Sequence, residues 1–143
     1  MSVKGDFASS QFAAGFNCST SVFTSFCEDY DLEVETAAKI ACGFGGGCAS
    51  GEICGAASGA IMVIGLKYGM DSIANLGAKA NCHAHVVEFL DRFKERNGAL
   101  ACRDLLGCDP TTEEGQAIYL AKRGTICPGL VKCSADLLEE LGY

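Results

Sequence analysis

Ten cysteines stand in a chain of 143 residues, at Cys18, Cys27, Cys42, Cys48, Cys54, Cys82, Cys102, Cys108, Cys127 and Cys133. A thiol can be half of a disulfide, a soft metal ligand or a redox nucleophile, and spacing and compartment narrow the choice. No two of these cysteines are three apart. That removes the thioredoxin-type active site, the zinc ribbon and the C-x-x-C-H attachment of haem. Four spacings of six recur, and six residues on a helix do not share a face, so the recurrence has no helical explanation. Cys82-His83-Ala84-His85 is the one local cluster of mixed metal-ligand types, and its neighbouring side chains point to different helix faces.

Three cysteines take expected places at helix starts. Cys54 follows Ser50-Gly51-Glu52-Ile53 and is expected in a first helical turn, where free backbone N–H groups and the dipole favour a thiolate or a metal-bound sulfur. Cys127 immediately precedes the helix expected from Pro128, and Cys102 follows the turn Asn97–Ala101. Cys27 lies near an apolar face, where a cysteine serves as a small buried hydrophobe.

The elements that position these thiols read as helices. Two prolines and almost no β-branched alternation leave the 3.6-residue period dominant. From about Ser9 to Asp29, Phe12, Phe16, Phe23 and Phe26 share one face of an amphipathic helix, with Cys18 well off it. Asp31 is placed to cap a second helix that runs to Cys42 and ends at Gly43. After a loop at 43–47, Ser50 is placed to cap a third helix. Its residues Gly51, Gly55 and Gly59 fall four apart beside Ala56 and Ala60, a face that admits a second backbone or a bulky inorganic group. A fourth helix spans His83 to Asn97 with Val86, Leu90 and Phe93 inward. After a short turn at 101–107, a capping box of Thr111 with Glu114 starts a helix ending near Arg123-Gly124. A last helix from Pro128 buries Leu130, Leu137 and Leu141. The expected architecture is all-α: one domain over residues 1–143, a bundle of five to six helices around a buried Gly/Ala-rich central helix.

Composition sets the outer bounds. A hydrophobic fraction of 49% supports a real core in one domain. A net charge of -7 with scattered basic residues argues against nucleic acid and anionic membranes. The apolar run from Ile53 to Leu66 is too short to cross a bilayer. The first residues, Met1-Ser2-Val3-Lys4-Gly5-Asp6, carry no secretory signal pattern, which leads to the expectation of a cytoplasmic protein with reduced thiols.

Gly43-Phe44-Gly45-Gly46-Gly47, Gly51-Glu52 and Cys54-Gly55-Ala56-Ala57-Ser58-Gly59 together resemble the C-GCAxxG-C-C family of redox-active proteins, with its CGAxxG motif present. Gly15-Phe16-Asn17-Cys18-Ser19, the stretch from Met62 to Gly69 and Cys102-Arg103-Asp104-Leu105-Leu106-Gly107 extend the resemblance over nearly the whole chain. The resemblance implies four family cysteines at Cys18, Cys54, Cys102 and Cys127, with Gly55 and Gly59 beside a cofactor. It also implies a relation to the iron–sulfur domain of split-Soret cytochrome c. The chain departs from that relative in lacking haem-attachment motifs and in carrying six additional cysteines, so no haem is expected.

Two chemistries follow. In one, the four cysteines ligate an iron–sulfur cluster, expected as [2Fe–2S], which exchanges electrons with a redox partner protein. In the other, Cys54 is a low-pKa attacking thiol and Cys18 or another of the four resolves it. A third, plainer reading is a helical protein, monomeric or a homo-oligomer, whose cysteines are buried or bind zinc. No G-x-S-x-G, P-loop or H-E-x-x-H sequence is present, and two histidines leave little for acid–base catalysis.

Overall fold

The computed structural model describes residues 3–143, so Met1 and Ser2 of the N-terminal segment lie outside the described residues. Seven α-helices follow in order: α1 Val3–Ala14, α2 Cys18–Phe26, α3 Val34–Ala41, α4 Gly55–Tyr68, α5 Leu76–Asn97, α6 Cys102–Leu106 and α7 Glu113–Glu140. Among the described residues there is no β-strand. One isolated antiparallel bridge joins Ile53 to Ala101. No described helix is long and apolar enough to cross a membrane.

The all-α expectation holds, and so does the buried central helix: α4 buries every residue from Gly55 to Ala60, then Val63 and Ile64. It packs on α2, which the hydropathy pattern undervalues. All nine residues of α2 are buried, although Ser19, Thr20, Ser21, Thr24 and Ser25 are polar. Helical hydrogen bonds make this tolerable, because a buried hydroxyl is costly only when unpaired. Ser21 donates to Asn17 O, Thr24 to Thr20 O, Ser25 to Ser21 O, and Ser19 reaches across to Ala41 O, at 2.6–2.7 Å. Close approach of the two helices rests on Gly59, where a Cβ would stand 2.5 Å from Ser19 O. Ser134 of α7 donates to Ala56 O at 2.7 Å and ties the third helix to this pair.

Several boundaries differ from the sequence reading, each for a local reason. The single helix expected from Ser9 to Asp29 is broken at Gly15, whose φ is +128°, and restarts at Asn17, whose Oδ1 accepts from Thr20 N. Backbone capping outweighs the continuous phenylalanine face. Asp31 does not cap α3. It takes a left-handed conformation (φ 61°) that closes the 3₁₀ turn Cys27–Tyr30, and α3 begins after Glu33. Ser50 does not cap α4 either, because its hydroxyl donates to Gly47 O and the helix starts at Gly55. The helix α5 starts at Leu76 rather than His83, since its first turns are exposed and show no apolar period. Phe89 joins Phe93 in the core from that helix.

The largest correction is α7. Thr112, not Thr111, is its N-cap, accepting from Gly115 N at 2.9 Å, while Thr111 donates to Asp109 Oδ1. The helix then runs unbroken through Pro128, so the two expected helices are one. A proline inside a helix removes one hydrogen bond and costs about 3 kcal/mol. Burial of Leu130, Val131, Ala135, Leu137 and Leu138 downstream offsets this.

Two glycines of α4 separate close packing from helix propensity. Gly59→Ala is expected to destabilise by about 1–3 kcal/mol, because the Ser19 backbone must shift. Gly65→Ala, with nothing within 4 Å of its Cβ position, should stabilise by up to about 1 kcal/mol. Urea-denaturation midpoints of the two variants check the opposite signs.

Candidate functional site

Cys18 is the first residue of α2, fixed there by the Asn17 cap. Asn17 also donates from Nδ2 to Cys42 O at 2.8 Å, so the start of α2 is tied to the chain that leaves α3. Cys54 is the N-cap of α4 rather than a first-turn residue. Cys102 opens the short α6, at the helix start the sequence predicts. Cys54 and Cys102 are set side by side by the Ile53–Ala101 bridge, in which Cys54 N donates to Leu100 O at 2.7 Å and Cys102 N to Glu52 O at 2.6 Å. An ion pair between Arg103 and Glu52, with Arg103 Nε donating to Gly51 O at 3.1 Å, holds the same junction from outside. Cys127 lies inside α7, not at a helix start, and is carried to the group by the length of that helix.

All four thiols are buried. Cys54 and Cys102 each act electrostatically on, or are acted on by, Cys18, and Cys127 is acted on by both Cys18 and Cys102. Glycines make the room: a Cβ at Gly55 would collide with Cys18 Sγ, and one at Gly47 would stand 2.9 Å from Cys102 Cβ. Gly59 is placed otherwise, since its nearest neighbours are the Ser19 backbone atoms and not a sulfur.

Burial, not the helix dipole, governs Cys54, Cys102 and Cys127. Cys54 receives backbone hydrogen bonds from Ala56 and Ala57, which favour the thiolate. Removal from water outweighs them, and with the neighbouring Cys18 it pushes the Cys54 thiol far above the ordinary range. Burial, followed by Cys18, raises Cys102 to about 11 and Cys127 to about 12. Burial thus works against the low-pKa thiolate expected at Cys54, and it acts in the same direction on Cys102 and Cys127. Among the described residues no three or more His, Cys, Asp or Glu side chains stand ready to hold a metal ion. The cysteine–histidine cluster is used differently, with His85 stacked on Tyr68 at 3.8 Å between centroids.

The donor set nevertheless fits an iron–sulfur group chemically. The four buried residues offer soft sulfur donors, with glycine clearance beside Cys18 and Cys102, and the thiols oppose one another's ionisation, a penalty that a cationic group relieves.

Two residues that the sequence did not single out, Tyr119 and Arg123, complete the surroundings. Tyr119 and Phe12 pack against Cys102 and Cys127, as does Cys108. The Tyr119 phenol is raised to about 12 by burial and by Cys18. Arg123 opposes the rise at Cys127. Both lie on what reads as an ordinary exposed helical stretch, and only the docking of α7 on α1 and α6 brings them to the thiols. The chain before α4 is also unusual: Gly46, Gly47, Cys48 and Ala49 all have left-handed backbone, at φ 56–66°. Cys48 and Ala49 carry a Cβ into that region at a cost of about 1–2 kcal/mol each.

The family model described as "Putative redox-active protein (C_GCAxxG_C_C)" matches residues 16–141. The chain belongs to this family. Where the family label writes Gly-Cys-Ala, this member reads Cys54-Gly55-Ala56. No curated protein and no solved structure matches the chain. Membership makes the protein redox-active in class and agrees with a functional centre built from cysteine.

The raised thiols give the metal-free protein a definite pH dependence. A folded-state pKa above the unfolded one means that the native state holds more protons, so stability is full below about pH 9 and is lost as pH rises through about 11–12. Urea midpoints between pH 8 and pH 11 should fall, and Cys102→Ser with Cys127→Ser should flatten the slope. Alkylation of the same protein at pH 7.5 should mark the exposed Cys42 and Cys48 first and Cys54 only on unfolding. Fast modification of Cys54 in the folded state would contradict the burial argument.

Proposed function

We propose that Cys18, Cys54, Cys102 and Cys127 ligate an iron–sulfur cluster of the [2Fe–2S] type, and that the protein passes single electrons to and from a redox partner protein. The observation that supports this reading is the burial of four thiols, at the starts of α2, α4 and α6 and inside α7, that act electrostatically on one another, with glycine clearance beside Cys18 and Cys102. When bound, such a cluster supplies one-electron chemistry at a potential set by charge, hydrogen bonds to sulfur and solvent exposure.

The chain's own residues supply those settings. The Ala56 and Ala57 amides donate to Cys54, and a hydrogen bond to a ligand sulfur favours the more electron-rich state. Arg123 adds a positive charge near Cys127. Packing of Phe12, Tyr119 and Ile126 around Cys102 and Cys127 keeps water out. The ten cysteines are all free, which suits a reducing compartment such as the cytoplasm.

The thiol–disulfide alternative needs a thiolate near neutral pH. The raised pKa values of Cys54, Cys102 and Cys127 disfavour it. Anaerobically purified protein is expected to carry iron and acid-labile sulfide and to absorb between roughly 400 and 600 nm. Serine at any of the four positions should remove iron and colour while leaving the helical circular dichroism, and serine at exposed Cys42 or Cys48 should leave both. A colourless anaerobic preparation with neither iron nor sulfide sinks the proposal, and zinc in their place would select the plainer reading.

A further inference from the structure

Arg123 is a half-buried guanidinium with no carboxylate partner among the described residues. It is held instead between two rings, 5.6 Å from the Phe12 centroid and 6.0 Å from that of Tyr119. Among the described residues the ion pairs of α7 lie elsewhere, between Lys132 and Asp6 and Asp136 and between Glu140 and Arg96. An arginine fixed by aromatic stacking keeps its fork of N–H donors free for a planar or tetrahedral anion.

Two cavities meet at this side chain. One, of about 300 Å³, is lined by Asn17, Gly46, Ala49, Gln116, Tyr119 and Arg123, among others. The second, of about 630 Å³, shares Asn17 and Arg123 and adds Lys39. Neither contains an Asp or Glu, although the chain carries a net charge of -7. Positive clefts in an acidic protein concentrate anions from solution. The Tyr119 hydroxyl lies 3.4 Å from where a Cβ of Gly46 would stand and makes no hydrogen bond among the described residues, so a second donor is left for an occupant. The left-handed turn that forms one wall holds Ala49 in a strained conformation, a feature that concentrates where a binding surface must be shaped.

We propose that the cavity between the Gly46–Ala49 turn and α7 binds a small anion, a carboxylate or an inorganic oxyanion, with Arg123 as its bidentate partner and Tyr119 as an additional donor. The ring of Tyr119, packed on Cys102 and Cys127, is then the layer between the anion and the thiols. The site does not depend on what the thiols hold.

The test is isothermal titration of the protein as purified, and of the reduced metal-free protein, with propionate, with sulfate and with neutral propionamide, at constant ionic strength in chloride. Propionate or sulfate should bind saturably in both preparations and shift the Tyr119 ring signals in NMR spectra, and propionamide should not bind. The stronger of the two anions identifies the ligand class. Arg123→Gln is expected to weaken binding by about tenfold or more, Arg123→Lys by less, and Tyr119→Phe by a few-fold. Should Arg123→Gln fail to fold, Tyr119→Phe and the contrast between propionate and propionamide still decide. Equal heats from propionate and propionamide, or affinity unchanged in Arg123→Gln, overturn the proposal. Anion binding in a protein that never takes up iron would leave this site standing while removing the cluster.

Discussion

The close approach of the α2 and α4 backbones governs the rest of the molecule. Gly59 lets the Ser19 carbonyl come within 2.5 Å of where a side chain would begin, and Gly55 leaves room for the Cys18 sulfur. Any larger residue at these points would force the helices apart, and the first residue of α2 would leave the N-cap of α4. The helix pair is thus both the core of the fold and the floor of the thiol centre. Its tight packing explains why α2 carries small hydroxyl residues that satisfy themselves within the helix, where larger apolar side chains would not fit.

The other two thiols are added by different physics. Cys102 arrives through backbone pairing, in the short bridge that fastens the chain before α4 to the chain before α6. Cys127 arrives through the continuity of α7, which passes Pro128 without ending and so spans from the thiol centre to the core packed by Leu137 and Leu138. Three independent devices, helix packing, a backbone bridge and a long helix, thus bury the four thiols and set them within electrostatic reach of one another. Their cost is visible in the thiols themselves, whose ionisation is suppressed by burial and by each other. Burial of this kind works against nucleophilic attack by Cys54, Cys102 and Cys127 and is relieved by a cation that replaces the thiol proton.

The surroundings of the centre carry a second polarity. On the side away from the core, the strained turn at Gly46–Ala49 and the ring-held Arg123 leave positive charge next to open volume. Arg123 opposes the rise of the Cys127 thiol, so its positive charge is felt on the sulfur side as well as in the open volume.

By itself the sequence determined the all-α class, the buried Gly/Ala helix around 55–64, the helix start at Cys102 and the family, because the 3.6-residue period and the cysteine–glycine motif are local patterns. The ordinary role of Cys27 was equally legible, and it is fully buried beside Val22 and Phe23. The tertiary structure alone decided the break at Gly15, the unbroken run through Pro128 and the displacement of the caps from Asp31 and Ser50. In each case a capping bond, a left-handed residue or downstream packing outweighed a propensity of about 1–3 kcal/mol. It also reversed the ionisation expected of Cys54, since the dipole at a helix start is visible in sequence and the burial that overwhelms it is not. Tyr119 and Arg123 gave no local signal, because what they do depends on which thiols a distant helix brings beneath them.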